Sequence, residues 1–190
     1  MKYSPYFKLW HWLNAIVVLG LLGTVFLRKT FLSWRTNSEI LMTKLSELGV
    51  EITAEQAKIL AKAIRAGMWE WHIILGYALS ILILYRIVLY FTKSKKQEEF
   101  NKLSLHKKLV EVLYCLFYAT LFFMAVSGLV LEFGKDLGMA KELLHDIKEI
   151  HEAVFYFIMY FTIIHLMGVI VAELRNEHGI ISRMISQEKQ

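Results

Sequence analysis

The 190-residue chain is 56% hydrophobic and 21% charged, has a formal charge of +5, and contains one proline and one cysteine. A mean hydropathy of +0.44 is too apolar for an ordinary soluble domain. The single cysteine excludes a disulfide framework, a four-thiolate iron–sulfur cluster and a CxxCH haem attachment site, and no basic, aromatic-interleaved groove is present for nucleic acid.

A bilayer core of about 30 Å takes roughly 20 helical residues, and four runs meet that length. The first, Leu9 to Leu27, carries no charge and opens with His11 between Trp10 and Trp12. It lacks an A-x-A cleavage site, so we expect a retained span rather than a signal peptide. Residues 28–70 follow as a loop with helical structure of its own. Thr36 to Glu39 and Thr53 to Gln56 read as T-x-x-E/Q capping boxes, and Gly49 suits the end of the first helix. The second helix carries Ile59, Leu60, Ala63 and Ile64 as an amphipathic stripe and leads through Gly67 into the next span. Such a pair of helices either lies on the lipid surface or forms a docking platform for an extracytoplasmic partner.

The second span, Trp71 to Phe91, holds His72 at its start and Arg86 near its far end. A lysine-rich segment over 92–108 carries His106. The third span, Leu109 to Leu131, has Glu111 near its start and Cys115 inside it, the latter expected as a small packing residue. Asp136, Glu142, Asp146 and Glu149 read as a solvated face in a loop that also holds His145. The fourth span, Ala153 to Ala172, is charge-free, is preceded by His151 and contains His165; His178 lies in the tail beyond it. None of the four contains proline, so each can close its backbone hydrogen bonds internally, as lipid requires. The expected fold is an all-α integral membrane protein, a four-helix bundle forming one domain over residues 1–190. No internal repeat or low-complexity segment interrupts it.

Residues 1–8, 92–108 and 173–190 hold 11 Lys/Arg in 43 positions, against 10 in 61 for 28–70 and 133–150. The excess sits in Lys93, Lys95, Lys96, Lys102, Lys107 and Lys108, which favours both termini inside and the 28–70 loop outside.

Polar rings within or at the ends of such spans need a reason to be there. The fourteen positions from His151 to His165 amount to about 21 Å along a helix and return within about 40° of one face. With the N-terminus inside, His11 matches the depth of His165 near the inner surface, and His72 matches His151 near the outer one. Two imidazoles at each depth on facing helices suit bis-histidine ligation of haem iron in a bundle core. Gly76, four residues after His72, and Gly168, three after His165, would let a macrocycle approach; Gly20, Gly23 and Gly128 serve either that or helix packing. Taken singly, His11 and His72 among tryptophans read more often as interfacial residues of an aromatic belt than as ligands; the depth pairing and the spacing favour the ligand reading for the set. A zinc or copper site fits less well, because neither pair has a cysteine or acid ligand in its span.

These features carry a resemblance. His11-Trp12-Leu13, His72-Ile73-Ile74-Leu75-Gly76 with Arg86, His151-Glu152 followed at fourteen by His165, and Arg183-Met184 together resemble the four-helix di-haem cytochromes b. These are the bacterial cytochrome b561 type and the relatives that anchor periplasmic nickel–iron hydrogenases. The resemblance implies that His11, His72, His151 and His165 ligate two b haems in the bacterial inner membrane. The 28–70 loop is longer than in the shortest stand-alone members, which favours a docked partner.

Arg86 follows His72 at the same spacing that separates His165 from His151. That puts it near the inner pair, where a haem propionate or a quinone oxygen would suit its forked donors; the alternative is snorkelling to lipid phosphates. His106 reads as solvated or as part of a quinone site. The expected function is electron transfer between quinone and an extracytoplasmic redox subunit, hydrogenase-like or multihaem. The alternatives are a stand-alone superoxide:quinone oxidoreductase, a haem-free transporter with histidine metal or proton sites, and an assembly anchor with dispensable haems. Dimerisation through the lipid faces stays open.

Overall fold

A computed structural model describes residues 4–92, 104–175 and 179–185, which are helical apart from short connections. The elements are α1 (Pro5–Lys29), α2 (Trp34–Glu47), α3 (Ala54–Thr92), α4 (Leu105–Phe133), α5 (Lys141–Arg175) and α6 (Ile180–Ile185). Among the described residues there is no strand, and α1, α3, α4 and α5 are the helices long and apolar enough to cross a membrane. Their large side chains remain exposed along most of their length, including Ile16, Phe26, Ile81, Leu84, Phe122 and Ile164. A surface so apolar suits lipid and not water.

The helices run past the expected spans. α3 has 39 residues and α5 has 35, about 58 and 52 Å at about 1.5 Å per residue, against a hydrocarbon core of about 30 Å. In both, the excess lies at the N-terminal end. The segment expected as a loop over 133–150 is therefore mostly helix, and His145 sits within α5, where its Nε2 lies 3.3 Å from the Glu149 carboxylate. Absence of charge marks depth in lipid; it does not mark where backbone hydrogen bonding stops.

The chain divides into two units. One, Ile16–Gly76, holds most of α1, all of α2 and the front of α3. Within it Gly20 lets α1 approach α3, since a Cβ there would meet Leu75 Cδ1 at 3.0 Å. The Thr53 box forms as expected: Thr53 N–H donates to Gln56 Oε1 at 2.8 Å, and Gln56 N–H donates back to Thr53 Oγ1 at 3.2 Å. Helix α2 ends as expected too. Gly49 has a φ of 75°, its N–H reaches Ser46 O at 2.9 Å, and Val50 N–H reaches Leu45 O at 2.8 Å, the paired bonds of a Schellman ending.

The Thr36 box does not form. Helix α2 starts at Trp34 with Ser33 as its N-cap, which leaves Thr36 inside the first turn. The preceding turn, closed by Leu32 N–H on Leu27 O and Ser33 N–H on Thr30 O, brings the chain into the helix earlier than the motif would. The front of α3 continues unbroken through Gly67, but Ile59, Leu60 and Ile64 are exposed while Ala57 and Ala61 are buried. The buried contacts there are made by small residues, and the aliphatic side chains face outward.

The other unit combines Met1–Ala15 with Tyr77–Gln190. Its α4 and α5 pack along their length, centred on Phe117 stacked on Phe161 at 3.9 Å and on fully buried Leu121. Gly134 ends α4 in a tight corner, where a Cβ would lie 2.5 Å from both Leu144 Cδ2 and Val130 O. Glu173 accepts the N–H groups of Gly179 and Ile181 and so caps α6. Trp10, expected at the interface, is buried, and its Nε1 donates to Leu82 O at 2.8 Å. Cys115, expected to pack inside, is exposed on α4.

Substituting Gly134→Ala should lower stability by about 1–3 kcal/mol, because the backbone carbonyl it meets cannot yield. Gly67→Ala, into open space in mid-helix, should instead add up to about 1 kcal/mol. Unfolding midpoints in mixed micelles check both.

Candidate functional site

The histidines occupy the helices as the spacing predicts. His151 and His165 share α5, and one helix thus presents two rings. The His165 ring faces His11 of α1, with centroids 6.2 Å apart and planes at 67°. Each is braced by a phenylalanine one turn back: Phe7 stacks on His11 at 6.4 Å and Phe161 on His165 at 6.1 Å. The Tyr114 hydroxyl of α4 lies 3.4 Å from His165 Nδ1.

His151 is held from α4. The Ser127 hydroxyl lies 2.7 Å from His151 Nδ1 and also donates back to Phe123 O at 2.7 Å. Next to it, a Cβ on Gly128 would come within 3.6 Å of His151 Cε1, so the imidazole lies over a glycine. In the Ile16–Gly76 unit, His72 is held in the same manner. The Thr24 hydroxyl lies 2.7 Å from His72 Nδ1 and donates to Leu21 O at 2.7 Å. Trp69 stacks on the His72 ring at 5.1 Å and 13°, and the Arg28 guanidinium covers Trp69 at 5.3 Å.

Arg86 of α3 is enclosed by aromatic rings. Its guanidinium carbon lies 5.3 Å from Phe7, 5.3 Å from Trp10 and 5.2 Å from Tyr118. Through Phe7 it adjoins the His11/His165 pair. Its Nε is buried without a hydrogen-bond partner, and so is Oδ1 of Asn14, which is three residues after His11 and itself buried. Gly76 and Gly168 have open space where a Cβ would stand, whereas Gly20 is taken up by packing against Leu75.

This arrangement fits a haem, which His11 and His165 would hold and which would supply one-electron chemistry. Among the described residues no group of three or more His, Cys, Asp or Glu comes together to hold a metal ion, and a bare zinc ion takes three or four protein ligands. Axial ligation of haem needs two imidazoles only. Metal–imidazole bonds of about 2 Å, plus about 1 Å from each nitrogen to its ring centre, put two such centroids about 6 Å apart. His11 and His165 have that spacing. The buried polar atoms of Asn14 and Arg86 beside them are the kind that a further polar group would satisfy.

Sequence reasoning missed the hydroxyl partners Thr24, Ser127 and Tyr114 and the aromatic enclosure of Arg86. Matching depth in the membrane, which paired the histidines, would have put Thr24 and Ser127 at the level of His72 and His151. The His106 side chain, His178, and Lys93, Lys95, Lys96 and Lys102 lie outside the described residues.

The enclosure of Arg86 depends on the flat face of its guanidinium. Arg86→Ala should lower stability by on the order of 2 kcal/mol through lost stacking and packing, and Arg86→Lys should restore less than half of that. Detergent-unfolding curves of the two variants would show it.

A family model described as prokaryotic cytochrome b561 matches residues 2–187. No curated protein and no solved structure matches the chain.

Proposed function

Because this chain belongs to the prokaryotic cytochrome b561 family, we propose that it carries two b haems and passes electrons between the quinone pool and an extracytoplasmic redox partner. Membership itself brings haem b binding and membrane electron transfer. The two haems, the quinone and the partner are our reading. His11 and His165 ligate one haem, His72 and His151 the other, and residues 1–190 act as a single cytochrome domain. The observation that carries this is the 6.2 Å spacing of His11 and His165 on separate helices; the matched sequence depths of His72 and His151 support the second pair.

A bound haem supplies one-electron chemistry, and the protein supplies position and surroundings. Phe7 and Phe161 hold the ring planes of His11 and His165, and the apolar helices keep water away. Gly76 and Gly168 leave room on the ligand faces. Arg86 would offer its donors to a propionate or a quinone oxygen. A hydrogenase-like or multihaem donor would drive electrons into quinone, and a terminal reductase would draw them from quinol.

The chain sits in the inner membrane with both termini cytoplasmic and 28–70 outside. With four spans in sequence and the termini inside, the connections 28–70 and 133–150 would both fall outside. The length of the 28–70 connection, with α2 inside it, supports a docked partner there.

Pyridine haemochrome analysis of purified protein should give two b haems per chain. His72→Ala or His151→Ala should remove one, and His11→Ala or His165→Ala the other. One haem in the unaltered protein, or a single variant that abolishes both without unfolding, would overturn the assignment. Alkaline phosphatase inserted within 28–70 should be active and fused after Gln190 inactive; the reverse pattern would invert the orientation.

A further inference from the structure

Two of the four histidines share a device that the family match does not describe. His72 and His151 belong to different units and different helices, yet each has Nδ1 2.7 Å from a hydroxyl on another helix. In both cases that hydroxyl also lies 2.7 Å from a carbonyl of its own helix, Leu21 O for Thr24 and Phe123 O for Ser127. Ser127 has a second carbonyl, Met124 O, at 3.3 Å on the same side.

The protons can be placed from this geometry. A carbonyl has none to give, and a hydroxyl has one. The short contact between hydroxyl and carbonyl therefore takes the hydroxyl proton. The contact between hydroxyl and imidazole must then be bridged by a proton on Nδ1, with the hydroxyl oxygen accepting it. A neutral imidazole protonated at Nδ1 has its lone pair at Nε2. Only that lone pair can bind a metal, because a ring flipped to the other tautomer would offer an N–H at the same place. For His165 the Tyr114 contact is longer, 3.4 Å, and no such placement follows.

We propose that Thr24 and Ser127 are positioning residues that hold His72 and His151 as Nδ1–H tautomers, so that Nε2 of each is presented as a metal ligand. This rests on the reading that these two histidines ligate a haem. Neither hydroxyl touches iron; each acts through the imidazole it orients. Rotation of the His72 ring is restricted as well, by Trp69 stacked on it. The Nδ1–H···O bond also raises ligand basicity, which favours ferric iron over ferrous.

The test uses Thr24→Val and Ser127→Ala, with Thr24→Ser as the conservative control. Loss of either hydroxyl should weaken retention of the second haem by about ten- to a hundred-fold and shift its midpoint potential upward, with the other haem unchanged. Thr24→Ser should restore both. Retention and potential that match the unaltered protein in Thr24→Val and Ser127→Ala would overturn the proposal. Should a variant fail to fold, nitrogen-15 NMR of histidine-labelled, unaltered protein in the ferrous state decides the matter. Protonated Nδ1 at both His72 and His151 supports the assignment, and protonated Nε2 at either overturns it. An unaltered protein without haem would sink the function proposed above, while the same NMR measurement on the haem-free chain would still judge the tautomers.

Discussion

An imidazole in a helix at lipid depth needs an answer for each of its nitrogens, because hydrocarbon offers none. A buried polar group without a partner costs about 1–3 kcal/mol, more than marginal helix packing in a membrane can ignore. This constraint organises the molecule. At His72 and His151 one nitrogen is answered by Thr24 and Ser127, residues that meet their own helices through back-bonds to the carbonyls of Leu21 and Phe123. A hydroxyl tied in this way serves its helix and its neighbour at once, and it adds no unpaired group of its own.

The same constraint bears on charge. Arg86 is a cation within a span, and the chain answers it with three aromatic faces, those of Phe7, Trp10 and Tyr118. Ring quadrupoles attract a guanidinium without occupying its donors, so the group can be held in an apolar setting and still offer N–H to an anion or a carbonyl. Phe7 belongs both to this enclosure and to the stack on His11. The cation and one candidate ligand thus share a wall, which couples the position of the charge to that of the imidazole in a membrane electron-transfer protein.

The architecture was largely legible. Four long apolar runs correspond to α1, α3, α4 and α5, since a lipid core disfavours charge and demands closed backbone hydrogen bonding. The Thr53 box and the Gly49 ending were legible for local reasons: each needs only residues within a few positions. The misreadings have local causes too. The Thr36 motif matches a capping box in type, but the turn through Thr30 and Ser33 starts the helix earlier. Charges clustered around His145 suggest a loop, yet Lys and Glu are good helix formers once outside lipid. Trp10 and Trp12 are neighbours with similar sequence surroundings. Trp10 is buried and donates to Leu82 O, whereas Trp12 is partly exposed and donates to Met184 O, a difference set by which way α1 faces.

Spacing along one chain determined what a single helix can determine: that His151 and His165 lie about 21 Å apart along one helix and return within about 40° of one face. Those quantities follow from a rise of about 1.5 Å and a turn of about 100° per residue. What only the tertiary structure decided is which side chain meets which ring. Thr24 and His72 are far apart in sequence, as are Ser127 and His151, and their meeting depends on how each helix is rotated about its own axis. In a soluble protein an apolar stripe would reveal that rotation. Here lipid permits apolar residues all round, so the pattern is nearly featureless, and the rotation is settled by packing, by glycines such as Gly20 and Gly128, and by the need of each imidazole for a partner.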